Sequence, residues 1–312
     1  MKAIIQDSYG PPASLQLRER EKPSPKENEV LVRVHASSVN APDWRLFTFP
    51  LVIRRLIGLG LRRPKDPTTG YDLAGTVEAV GAAVTQFRPG DPVFGTKRGA
   101  FAEYVCSTED RLAPKPANVS FDVAAAVPVA ALTALQAVRN VAKVQPGQKV
   151  LVNGAGGGVG TFAVQIAKAF GAEVTAVCST RNQEMARSIG ADHVLDYTRE
   201  DFTTGAQRYD VILNVNGYQS IFACGRALTP AGTYVWIGGS LKAMVQTWVG
   251  GRRFRGVMAN ANQKDLLVLK DLVESGKIVP AIDRRYPLRD VAEAITYLLG
   301  RHASGKVVIT VP

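Results

Sequence analysis

One stretch of this chain limits its possible folds more than any other: an apolar run, a glycine cluster and an amphipathic segment in direct succession. Lys149-Val150-Leu151-Val152 reads as a buried strand, Asn153-Gly154-Ala155-Gly156-Gly157-Gly158-Val159-Gly160 as a turn with little side-chain bulk, and Thr161 to Lys168 as a helix. A strand that enters a helix through glycines offers backbone N–H groups and a positive helix end to an anion, with no side chain in the way. The spacing Gly154, Gly157, Gly160 is G-x-x-G-x-x-G, not G-x-G-x-x-G, so by itself it reads equally as a tight strand-to-helix connection. Its place in a βαβ unit favours a dinucleotide pyrophosphate, with Gly154, Gly157, Gly158 and Gly160 as its cradle. A P-loop is excluded, because no Lys-Ser or Lys-Thr follows the last glycine.

Strands and helices alternate from this point. Strands are expected over 150–152, 173–178, 193–196, 209–215 and 233–237, with helices over 158–170, 182–189, about 219–228 and 264–275. Such alternation predicts a doubly wound parallel sheet covered on both faces. An Ala-rich helical stretch, 121–141, precedes it. Upstream, to about Asn118, short Val-containing runs between Gly and Pro turns predict an irregular β domain. The tail, with a helix over 289–299 and a strand over 306–311, has the texture of that β domain and is expected to return to it. With 312 residues the chain exceeds the ~250–300 at which single cores stop growing. The expected division is 1–120, 121–280 and 281–312, the last rejoining the first.

Composition narrows the function classes. No apolar run reaches the ~20 residues that span a bilayer, and the N-terminus reads as a strand, not a secretory signal. Cys106, Cys178 and Cys224 are too few and too widely spaced for a disulfide framework or a paired metal motif. A cytoplasmic protein with reduced thiols is the expectation. The net charge of +11 comes from scattered residues, and the basic groups at 54–65 and 252–255 lack the interleaved aromatics of a base-stacking surface. Nucleic acid is therefore not an expected partner; the charge suits solvation and attraction of an anionic cofactor.

About 20 residues past the glycines, an NAD-preferring site places an Asp or Glu at the end of the second strand. This chain has Val177-Cys178-Ser179-Thr180-Arg181-Asn182 there. Arg181 can pair with a 2′-phosphate and the Ser179 and Thr180 hydroxyls can donate to it, which favours NADPH over NADH. The alternative makes Ser179 or Thr180 a helix N-cap and Arg181 a solvated surface residue.

With these motifs in view the chain resembles the medium-chain dehydrogenase/reductase superfamily, in its zinc-free quinone oxidoreductase-like branch. The likeness runs nearly end to end, through Gly70-Tyr71-Asp72-Leu73-Ala74-Gly75-Thr76-Val77-Glu78, Pro89-Gly90-Asp91-Pro92-Val93-Phe94-Gly95, Gly99-Ala100-Phe101-Ala102-Glu103-Tyr104-Val105 and His302-Ala303-Ser304-Gly305-Lys306-Val307. It implies a GroES-like N-terminal domain, a Rossmann domain, a cleft active site and a homodimer. Zinc-dependent members carry Gly-His-Glu where Gly70-Tyr71-Asp72 stands, and a cysteine ligand near Asn40-Ala41-Pro42-Asp43. Both ligands are replaced here, so no catalytic zinc is expected. The resemblance also places Asn40 and Thr133 near the nicotinamide, Val159 beneath the dinucleotide, Tyr197 near the 2′-phosphate, Gly238 at the fifth strand's turn, and His302, Ser304 and Lys306 in the returning segment. Packing or turn roles are the competing accounts for each.

Without a Lewis acid, substrates already activated by conjugation are favoured: a quinone, or an α,β-unsaturated aldehyde or ketone, accepts hydride while hydrogen-bond donors steady the developing oxyanion. Asn40 and Tyr71 are the catalytic candidates, Tyr71 as a donor to substrate oxygen or else a buried structural phenol. Trp44, Phe47 and Phe49 are expected as an aromatic substrate wall, and 52–63 as a lid in preference to a membrane-surface segment, because Gly58 and Gly60 break a helix there. A redox sensor that binds NADPH with little turnover and an alcohol dehydrogenase-like enzyme are the alternative functions.

Overall fold

The computed structural model describes residues 1–44, 63–215, 219–238, 246–247, 251–300 and 303–312. Expectations for Phe47, Phe49, His302 and 52–62 lie outside these residues. Short Val-rich runs become strands from the start. β1 (Lys2–Ile5) pairs antiparallel with β2 (Gln16–Glu19), and β3 (Glu29–Val39), β4 (Asp72–Val80), β5 (Pro92–Thr96), β6 (Tyr104–Thr108) and β7 (Leu112–Pro114) begin a larger sheet. β3 has neighbours on both edges, and most of its residues are buried on both faces.

The expected helix over 121–141 is three pieces. α1 (Phe121–Ala125) starts at Ser120, whose hydroxyl accepts from the Val123 N–H. α2 opens at Pro128 and runs Pro128–Leu135, because a proline has no N–H to continue a preceding helix and suits a first turn. A wider π-helical segment, Gln136–Ala142, follows and ends at Lys143 in the left-handed region.

Next come β8 (Lys149–Asn153), α3 (Gly158–Ala169), β9 (Glu173–Cys178), α4 (Gln183–Ser188), β10 (His193–Asp196), β11 (Tyr209–Asn214), α5 (Ile221–Arg226), β12 (Leu228–Trp236) and β13 (Phe254–Gly256). They form the expected doubly wound sheet, parallel throughout, in the order β10-β9-β8-β11-β12-β13. The expected strand over 233–237 is only the second half of β12. Its first half, which contains Pro230 and Gly232 and so reads as a turn, runs beside β11 through a register shift. Leu151, Val177, Ile212, Ile221 and Tyr234 form the core here.

The chain then supplies α6 (Gln263–Glu274), β14 (Ile282–Pro287), α7 (Val291–Leu299) and β15 (Lys306–Thr310). β15 enters the first sheet antiparallel to β3 and β14 pairs parallel to β15, so the tail returns as its texture implied. The finished seven-stranded sheet runs β14-β15-β3-β4-β5-β7, with β6 also on β3. Val32, Leu73, Phe101, Leu112, Ile295 and Ile309 are among the side chains enclosed there. Two compact units result: residues 1–129, 261–274 and 282–312, and residues 130–260 with 275–281.

Candidate active site

The second unit carries the glycine turn at the carboxyl end of β8, where strand order reverses between β8 and β11. In open α/β sheets that switch point is where ligands bind. Gly154, with φ +93°, turns the chain, and the Gly154 and Ala155 N–H groups donate to the Val177 carbonyl at 3.1 and 3.0 Å. A Cβ on Gly160 would stand 2.1 Å from the Gly154 oxygen, so α3 starts against the turn only because residue 160 is glycine. Gly157 is the opposite case: a Cβ there would meet only the Gly154 oxygen, at 3.8 Å.

The first helical bond of α3 runs from the Thr161 N–H to the Gly157 carbonyl at 2.9 Å. The Gly158, Val159 and Gly160 N–H groups precede it and have no acceptor within the helix. Three donors, a positive helix end and open space over Gly157 fit a dinucleotide pyrophosphate.

The rim beside this turn differs from expectation. The sequence lacks a carboxylate at the end of the second strand of the unit, but the neighbouring strand supplies one: Asp196 ends β10 in register with Cys178, the last residue of β9. Its Oδ2 accepts from the Thr180 hydroxyl and from Gln183 Nε2 at 3.2 Å; its Oδ1 accepts from the Thr198 N–H at 2.9 Å and the Thr198 hydroxyl at 2.7 Å. These donors hold the carboxyl down at about 2. The Thr180 proton expected to face a phosphate is thus directed to Asp196. Ser179 caps the turn Thr180–Asn182 without a side-chain cap bond, and Arg181 and Tyr197 are exposed. Thr133 is half-buried on α2, Val159 half-buried on α3, and the Gly238 N–H donates to the Asn214 carbonyl at 3.3 Å.

The first unit holds a different group of predicted residues. Lys306 on β15 is 2% exposed and directs its ammonium to Val39 O at 3.3 Å, Asn40 Oδ1 at 2.5 Å and Asp72 Oδ2 at 3.3 Å. Asp72 on β4 also accepts from the Ser38 hydroxyl, from Asn40 Nδ2 at 2.8 Å and, through Oδ1, from the Val129 N–H at 2.8 Å. The second Asn40 amide proton goes to the Ser38 carbonyl at 3.1 Å. These bonds leave Lys306 no proton for a cofactor phosphate and Asn40 no free amide proton.

Asp43, three residues beyond Asn40, is equally enclosed. Its Oδ2 accepts from the Asn40 N–H at 2.6 Å, Oδ1 has no hydrogen-bond partner among the described residues, and burial pushes the carboxyl up to about 8. Asp43 and Trp44 lie on a cavity of about 390 Å³ with Gln6, Tyr9, Leu15 and Ile295.

Tyr71 precedes Asp72 and is half-buried. Burial raises its phenol above the ordinary value, while the positive charge of the nearby Arg98 guanidinium opposes the rise. Arg98 is itself fixed by the Asp66 carbonyl at 2.6 Å and the Thr68 carbonyl at 3.2 Å. The Ser304 N–H donates to Asp283 at 3.0 Å. Among the described residues no three His, Cys, Asp or Glu side chains form a metal-holding group.

A β unit completed by C-terminal strands, and a doubly wound unit with a glycine cradle at its switch point, define an α/β protein of the dinucleotide-dependent dehydrogenase class. Residues 26–117 match the alcohol dehydrogenase GroES-like domain and residues 189–309 the zinc-binding dehydrogenase domain. The chain is 32% identical to the chloroplast envelope quinone oxidoreductase homolog of Arabidopsis thaliana, over 99% of its own length and 98% of that protein. It is 34% identical to the chloroplastic NADPH-dependent alkenal/one oxidoreductase of the same plant, over 99% and 79%. The structure of the quinone oxidoreductase from Coxiella burnetii matches it with TM-score 0.89 and 32% identity, covering 100% of this chain and 99% of that one. The chain belongs to the medium-chain dehydrogenase/reductase superfamily, in its quinone oxidoreductase-like branch.

Proposed function

We propose that this protein is an NADPH-dependent reductase that transfers hydride, without zinc, to a quinone or an α,β-unsaturated aldehyde or ketone. The observation that carries the reading is the open helix end over Gly157, closed behind by Gly160 at the switch point. Relatives named as quinone and alkenal/one oxidoreductases support the substrate class. The Gly158, Val159 and Gly160 N–H groups hold the pyrophosphate, and Arg181 with Tyr197 receives the 2′-phosphate. When bound, the nicotinamide supplies the hydride.

Tyr71 is the proposed donor to the substrate oxygen. A phenol carries its proton at neutral pH, burial here raising that tendency further, and its hydrogen bond strengthens as negative charge develops on the acceptor. Asn40 positions the Asp72–Lys306 pair, since its amide is spent on that network. The homodimer is proposed from the family resemblance. A cytoplasmic setting is proposed from the free cysteines and from the finding that no helix among the described residues is long and apolar enough to cross a membrane.

The test is NADPH consumption against a panel of quinones, enals and enones, with bound metal measured on the same preparation. Saturable, metal-independent oxidation of NADPH is expected. Tight NADPH binding with no turnover on any member turns the reading into that of a sensor, and activity proportional to bound zinc removes the metal-free claim.

A further inference from the structure

Asp196 ends the strand beside the one whose end carries the ribose-reading carboxylate in NAD-preferring folds, yet it has no capacity left for that task. An ionised carboxylate offers about four lone-pair directions. Here four donors take them: the Thr180 hydroxyl, Gln183 Nε2, and the N–H and hydroxyl of Thr198. The residue is 3% exposed, and Arg199 stands 3.8 Å away. Two of the donors lie on the segment after β9, which carries Arg181; the other two belong to the segment after β10, which begins with Tyr197. A backbone bond from the Tyr197 N–H to the Cys178 carbonyl, at 3.1 Å, links the same two segments.

Resting on the cofactor reading above, we propose that Asp196 is a positioning residue for the 2′-phosphate: it ties the two segments into one rim that presents Arg181 and Tyr197 together. Its own charge opposes a phosphate, but that charge is spread over four donors. The benefit is orientation. A guanidinium already fixed near its anion loses less freedom on binding than one on an untied loop.

The experiment measures dissociation constants for NADPH, NADH and 2′-AMP with the full-length protein and its Asp196→Ala, Thr180→Val and Arg181→Ala variants. Asp196→Ala is expected to weaken NADPH and 2′-AMP about tenfold and NADH less than about threefold, and Thr180→Val to shift the same ratio about threefold. Thr180 is exposed, so its variant answers the question even where Asp196→Ala fails to fold. Equal weakening of both dinucleotides, an unchanged ratio, or tighter NADPH binding in the variants overturns the proposal. If Arg181→Ala shifts the ratio and the other two do not, only the role of Asp196 has failed. If Arg181→Ala also leaves it unchanged, the 2′-phosphate reading has failed.

Discussion

Asp43 shows what a single buried carboxyl does to pH dependence. Burial raises it from 3.8 to about 8, so between these values the native protein keeps a proton that the unfolded chain has released. Stability from this group is therefore greatest below about pH 4, falls as pH rises toward 8, and is level above. Asp43→Asn removes that slope: relative to the wild type, the variant should gain on the order of 4 kcal/mol between pH 5 and 9, read from urea unfolding at each pH. Lys306 makes the opposite case. Lys306→Met leaves Asp72 charged and enclosed, and is expected to cost about 3–5 kcal/mol, seen as a large drop in the unfolding midpoint. At this scale the sequence was only partly legible. The resemblance singles out Asn40 and Lys306, and the Gly70-Tyr71-Asp72 motif Tyr71. That Asn40 and Lys306 turn inward to Asp72 was not visible, because the three meet only when distant strands pair.

The helix and its turn were more legible, since strand, glycines and amphipathic segment are contiguous and the local pattern dictates the local shape. What the pattern hid was which glycine does what. Gly160 is required by the fold, whereas Gly157 leaves open space over the helix end, a distinction that spacing cannot make. Gly160→Ala forces its methyl onto the Gly154 carbonyl and is expected to lower stability by about 2–3 kcal/mol. Gly157→Ala has room and an ordinary φ of −91°, so its melting temperature should stay within about 2 °C of wild type while NADPH affinity falls at least about tenfold. Calorimetry of the two variants, with and without NADPH, separates the roles; a Gly157→Ala variant that binds normally removes the cradle from the cofactor assignment. Gly156, whose Cβ would stand 2.3 Å from Asn182 Nδ2, went unassigned because its neighbour lies on another loop. Asp196 went unassigned for a similar reason: the ribose carboxylate is sought at the end of the second strand, and this one arrives from the third.

At the scale of the molecule, alternating hydrophobic texture was enough to foresee a parallel doubly wound sheet and a returning tail, because both depend on broad patterning. It did not foresee that β15 would lie between β14 and β3, since sheet order is set by which strand buries which face. That position makes a sharp expectation. Deleting β15 should leave hydrogen-exchange protection in β8, β9 and β11 while protection in β3 and β4 collapses; retained protection in β3 would show that the first sheet stands without it.

The same placement sets a schedule for a growing polypeptide. Asp72 emerges from the ribosome 234 residues before the lysine that neutralises it. During that interval β3 has no β15 beside it, and the half-made sheet offers an open edge to other chains. The doubly wound unit, whose six strands all precede β15, can finish first. A nascent protein of this design would spend its longest vulnerable period with its oldest part incomplete, which makes the first unit the place where chaperones should be found.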